Sequence, residues 1–157
     1  MWLRLWSILL LTGGLMGTGI AQEGGVNPAA NPLITDQGKF RPLILVTPSA
    51  ENADYQRMLA DIQRQRASLE ERRMLLYRIE DDEGWREDKP MTVPETRALL
   101  EALELDAQDP LQVVLVGLDG GKKMQLEGHV ELQEIFRTID NMPMRRAQMK
   151  HQNESPQ

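Results

Sequence analysis

A hydroxyl, an amide and two carboxylates crowd one short stretch of the chain, Ser49-Ala50-Glu51-Asn52-Ala53-Asp54. Such a group at the start of a helix can cap it, gather an anion on unpaired amides, or supply a nucleophile and a carboxylate. Ser49, Asn52 and Asp54 are each fit to cap, and the sequence does not choose among them. A serine nucleophile also needs a base. The chain has two histidines, His129 at the start of a last helix and His151 in a polar tail, so a serine hydrolase is set aside. Glu51 and Asp54 remain as carboxylates around which an alternative enzyme could be built.

Three other clusters have possible chemistry. The run Glu80-Asp81-Asp82-Glu83, with Asp88 nearby, offers carboxylates to Ca²⁺. It lacks the alternating ligands and central glycine of a calcium loop, and reads instead as a solvated acidic loop. Met142, Met144 and Met149 with His151 are soft ligands of the kind copper(I) takes. Met142 and Met144, however, flank a proline at the end of a helix, where thioethers close a core. Arg145, Arg146 and Lys150 form a basic patch too small to hold a membrane. Trp85 is either an exposed anchor for a partner or tucks against the sheet. No cofactor and no metal are expected.

The composition removes whole classes. The 157 residues include no cysteine, which excludes disulfide exchange, a peroxidatic thiolate and thiolate metal ligands. A net charge of −6 argues against nucleic acid, whose phosphates need an excess of Lys and Arg on one face. At the N-terminus, Arg4 precedes an apolar run from Leu5 to Met16 that is too short and too glycine-broken to span a bilayer. Gly19-Ile20-Ala21 then supplies the small residues of a cleavage site. The expectation is a signal peptide over residues 1–21, cleaved after Ala21, and a periplasmic or secreted protein with no stable membrane anchor after cleavage.

The elements that must position these residues follow from periodicity. Residues 22–37, rich in Gly, Asn, Ala and Pro, are expected to form a flexible leader. Pro42-Leu43-Ile44-Leu45-Val46-Thr47-Pro48 suits a strand buried on both faces. Tyr55, Met58, Leu59, Ile62 and Leu69 mark a helical stripe, and Met74 to Ile79 a second strand. Trp85 to Met91 is expected to be a loop. Thr92 and Glu95 form a capping box for a helix through Leu99, Leu100 and Leu103. Leu111 to Leu118 is a strand, Asp119-Gly120 turns it into a hairpin with Lys122 to Leu126, and Val130 to Ile139 is a last helix. Residues 145–157 read as a polar, disordered tail. The predicted class is α/β, a central mixed sheet of about four strands with helices on both faces, in a domain over residues 38–144.

Four pieces, in order and spacing, resemble a known family. They are Arg41-Pro42-Leu43 leading into the first strand, Pro48-Ser49 closing it, Gly117-Leu118-Asp119-Gly120-Gly121 at the hairpin, and Ile139-Asp140-Asn141-Met142-Pro143-Met144-Arg145-Arg146 after the last helix. Over residues 38–149 the chain resembles the bacterial domain of unknown function 4174, a thioredoxin-like group related to peroxiredoxins. The group's relatives include domains in extracellular matrix-associated vertebrate proteins. The resemblance implies a thioredoxin-like fold and export, and no settled activity. Thioredoxins and peroxiredoxins keep their reactive cysteine where the first strand turns into the first helix; here that stretch is Thr47 to Asp54, without a thiol. The proline flanking such sites, commonly cis, would be Pro110. The expectation is therefore a non-catalytic binding or interaction module for a protein or small ligand, with Ser49, Asn52, Asp54 and Pro110 as its surface.

Overall fold

A computed structural model describes residues 25–154; the signal-peptide reading of residues 1–21 lies outside them. After a 3₁₀ turn at Pro28–Ala30 come α1 (Leu33–Asp36), β1 (Arg41–Thr47), α2 (Ala53–Arg64), α3 (Arg66–Glu71) and β2 (Met74–Glu80). Then follow β3 (Glu83–Arg86), β4 (Lys89–Pro90), α4 (Val93–Ala102), β5 (Gln112–Val116), β6 (Lys122–Glu127), α5 (Leu132–Asp140) and α6 (Pro143–Glu154). None of the described helices is long and apolar enough to cross a membrane.

The apolar run of β1 is buried at every position because both sheet faces are covered. Alternation sends Leu43 and Leu45 into a core with α2, α3 and α5, and Ile44 and Val46 into a second core with α1 and α4. β1 pairs parallel with β2 and antiparallel with β5, and β5 pairs antiparallel with β6 across the Asp119-Gly120 turn. Gly120 sits at φ +80°, a conformation glycine adopts without strain. The capping box forms as expected: the Thr92 hydroxyl accepts from the Glu95 amide, and the Glu95 carboxylate accepts from the Thr92 amide.

Two expectations about the sheet are corrected. The sheet has six strands in the order β4-β3-β2-β1-β5-β6, rather than about four. The supposed loop after Gly84 is the β3–β4 ribbon, which extends the outer edge of β2. Of the two readings left open for Trp85, the second holds: it tucks against the sheet, its ring under the Arg78 guanidinium at 5.2 Å. The solvated acidic loop is found as the hairpin turn between β2 and β3, with Asp81 and Asp82 exposed and Glu80 and Glu83 paired across it.

Part of the supposed leader is also structured: Leu33 and Asp36 are buried, the first in the second core and the second against Tyr77 and Arg86. The helical stripe is broken at Gln65, so Leu69 lies on α3 and not on α2. Finally, Pro143 opens a helix instead of ending one. Its missing N–H is harmless in a first turn, so α6 runs on to Glu154, into the stretch expected to be a disordered tail. The peptide bonds of the described residues, that before Pro110 included, are trans.

Candidate functional site

The end of the sheet where β1 leads to α2 holds Ser49, Asn52 and Asp54, and Pro110 shares it because Val46 pairs with Gln112. Their polar groups serve local structure. Asn52 is the cap of α2: its side-chain oxygen accepts from the Tyr55 amide at 2.9 Å. The Thr47 hydroxyl donates to the Ser49 carbonyl, and the Ser49 hydroxyl accepts from the Glu51 amide, both at 3.1 Å. Asp54 is 45% exposed and takes Arg57 at 3.3 Å, while Glu51, Ser49 and Pro110 are exposed. The His129 ring is engaged by Asp61 at 2.7 Å, not by Ser49. Glu80 accepts from the Tyr55 hydroxyl and pairs with Arg78. Burial, then the Glu80 bond, pushes the Tyr55 hydroxyl above its ordinary range. Among the described residues no group of three or more His, Cys, Asp or Glu is placed to hold a metal ion.

The opposite end of the sheet holds a cleft of about 510 Å³. Arg41 opens β1 and Gly117 follows β5; the antiparallel pairing of Leu43 with Leu115 brings them to the same edge. Arg41 and Leu118 line it with Met142, just before α6, and Met144 in the first turn of that helix. Also lining it, Lys123 on β6 donates to the Asp119 carboxylate at 2.5 Å. Three pieces singled out in the sequence thus meet here: Arg41, the Gly117–Asp119 turn and Met142–Met144. Pro48-Ser49 lies at the far end, and Leu43 is in the core.

Beneath the cleft lies a cluster of guanidinium groups. Arg72 makes two bonds to Asp140, 3.1 Å from Nε and 2.7 Å from Nη2, and stacks over Phe136 at 4.5 Å. Arg145, only 2% exposed, donates to the Glu71 carboxylate at 2.6 Å and to Asp140 at 3.3 Å. Arg41 is fully buried and donates to two uncharged acceptors, the Arg72 carbonyl at 2.8 Å and the Gln148 amide oxygen at 3.4 Å. Its Nε has no hydrogen-bond partner. Burial, then the neighbouring Arg145 and Arg73, pulls the Arg41 pKa below its ordinary value.

Burial raises the carboxyl of Asp140, but the bonds and charges of Arg72 and Arg145 outweigh it and hold the pKa below the ordinary 3.8. Asp61 is also held low, first by its hydrogen bond with His129. A depressed carboxyl stabilises the fold fully above its unfolded pKa, and that contribution is lost as pH falls through the folded value. The urea midpoint is therefore expected to hold down to about pH 4 and to fall progressively below it. Asp140→Asn should flatten that fall, and an unchanged acid limb in this variant would contradict the assignment.

Fold and site define a cysteine-free α/β domain whose mixed, open six-stranded sheet carries helices on both faces. The chain belongs to the DUF4174 family, a domain of unknown function, whose profile matches residues 32–148. No curated protein and no solved structure matches it. The matched span begins beside the docked α1 and ends at Gln148, the partner of Arg41. Lys123, Asp140 and Gln148 did not stand out in the sequence as members of a site. The one available signal was an arginine leading directly into a strand buried on both faces.

Proposed function

We propose that the protein is an exported, non-catalytic binding module on a thioredoxin-like scaffold, with its binding cleft at the sheet end opposite the usual thiol position. Export rests on the sequence from Arg4 to Ala21. The thioredoxin-like reading is supported by four adjacent strands, ordered β2-β1-β5-β6, with one parallel crossover and one terminal hairpin. On this reading the β3–β4 ribbon and the α1 segment are additions to that scaffold.

The observation that carries the proposal is the contrast between the two ends of the sheet. At the β1–α2 junction the hydroxyl and amide groups are spent on turn and cap, and a chain without cysteine has no thiol to place there. Carboxylate chemistry at that junction would need an enclosed acid, whereas Glu51 is exposed and Asp54 is paired with Arg57 near the surface. At the other end, residues far apart in sequence close around a cleft.

The test uses the full chain with labelled methionine methyls, challenged with an extract of its native envelope or secretion fraction. Shifts at Met142 and Met144 are expected, with no turnover of hydrogen peroxide or of a disulfide substrate. Turnover would sink the non-catalytic reading. Shifts confined to the Ser49–Asp54 amides would move the site back to the β1–α2 junction.

A further inference from the structure

We infer that the cleft takes a small carboxylate with an apolar body, an inference that rests on reading this end of the sheet as the binding site. Two independent observations point to an anion. The first is charge. Arg41, Arg72 and Arg145 bring three guanidiniums together, and Asp140 and Glu71 supply two carboxylates. Of the three, Arg41 is the one in no ion pair; it is fully buried, lines the cleft and keeps an Nε without a partner. A buried cation is stabilised only when charge and hydrogen bonds compensate it. Lys123 does not compete for the ligand's charge, because Asp119 already neutralises it.

The second observation is the start of α6, a helix of 12 residues whose first turn lines the cleft. Pro143 has no N–H, and the amides of Met144 and Arg145 have no acceptor within the helix. The residue before the helix is Met142, which brings no oxygen to cap them. Pro143 and Met144 put this end of the helix, with the positive end of its dipole, against the cleft that Arg41 lines.

The occupant follows from what surrounds this charge. A cation held in no ion pair calls for one negative charge, and a guanidinium near a helix N-terminus suits the planar oxygens of a carboxylate. The walls are apolar: Leu118, Pro143 and the thioethers of Met142 and Met144, which adapt to an irregular aliphatic body. The cleft volume falls within the range of small-molecule sites.

Calorimetric titration of the purified full chain with octanoate tests this, with octanol and octyltrimethylammonium as uncharged and cationic counterparts. Methionine methyl shifts report the location. Octanoate is expected to bind on the order of tenfold or more tightly than octanol and to shift Met142 and Met144. Arg41→Met should abolish the preference. Met144→Asp, on an exposed side chain, should weaken octanoate by a larger factor than octanol, which decides the matter if Arg41→Met does not fold. Equal binding of octanoate and octanol, a preference for the cation, or a preference that survives these substitutions overturns the carboxylate assignment while the binding-module reading stands. No response of the two methyls to any of the three probes overturns the carboxylate assignment, and the binding-module reading falls with it only if the native extract also leaves them unshifted.

Discussion

Asp36→Ala is expected to lower the free energy of unfolding by about 3 kcal/mol, the low end of the range for stripping one partner from a buried ion pair. Asp36 is 2% exposed. It accepts from the Tyr77 hydroxyl at 2.5 Å and from two nitrogens of Arg86, at 2.5 and 3.1 Å. Burial and the Asp36 bond push the Tyr77 hydroxyl above its ordinary range, and the same carboxylate raises the pKa of Arg86. Alanine would leave a guanidinium and a phenol without their acceptor beside an apolar core. Arg86 is 32% exposed and can recruit water, which keeps the loss from the top of the range. The substitution also unpins α1, so Leu33 loses its hold on the second core. Asp36→Asn, which keeps an acceptor for Tyr77 but no charge for Arg86, should lose about half as much. Urea denaturation measures both, and limited proteolysis should open the chain before Lys39 in the alanine variant. A loss below about 1 kcal/mol would mean that α1 rests on the sheet without bracing it.

That prediction concerns a segment whose composition reads as a flexible leader, and the reason is general to this chain. Where an element is held by apolar periodicity or local capping, sequence and structure agree. Leu43 to Val46, the Thr92–Glu95 box and the Asp119-Gly120 turn are cases. Where an element is held by polar bonds across long sequence separations, periodicity has nothing to register. The α1 segment depends on Asp36 reaching Tyr77 and Arg86, and α6 on Arg145 reaching Glu71. In α6 the buried position belongs to an arginine, so an apolar stripe could not announce the helix. The β3–β4 ribbon was hidden differently: it is short and charged, and carries Lys89 and Pro90 on the outer strand, as edges commonly do.

The candidate site divides the same way. Arg41, Asp119, Met142 and Met144 were noticeable as pieces, because each lies in an unusual local string. That they share a cleft follows only from antiparallel pairing of β1 with β5, which brings Arg41 beside the Gly117 turn, and from α6 turning back across it. The stretch that local chemistry favoured, Ser49 to Asp54, is rich in polar groups for a plainer reason. A strand-to-helix turn needs a hydroxyl for the turn and an amide for the cap, and Thr47, Ser49 and Asn52 provide them.

Asp140→Ala is expected to destabilise the chain by about 2 kcal/mol, and Arg41→Met in the same chain to recover about half of that loss. Asp140 holds Arg72 through two bonds and Arg145 through one, so its removal leaves three guanidiniums against Glu71 alone. Its side chain is 31% exposed, and solvent screening keeps the loss below that of a fully enclosed pair. Arg41 makes no bond to Asp140, yet its charge is raised in pKa by that carboxylate and lowered by Arg145 and Arg73. Deleting the Arg41 charge should therefore matter more once Asp140 is gone. Methionine fits a site where a long side chain is fully buried, and replacing an uncompensated buried ion with an apolar group is often neutral or stabilising. Against this stand the bonds that Arg41 donates to Arg72 and Gln148, whose acceptors methionine would leave unmet. The double-mutant cycle separates the two terms, because the lost bonds are common to both backgrounds while the charge repulsion is not. Strict additivity, with Arg41→Met having the same effect beside Asp140 or alanine, would detach Arg41 from the cluster. It would also remove the charge argument that assigns an anion to the cleft above it.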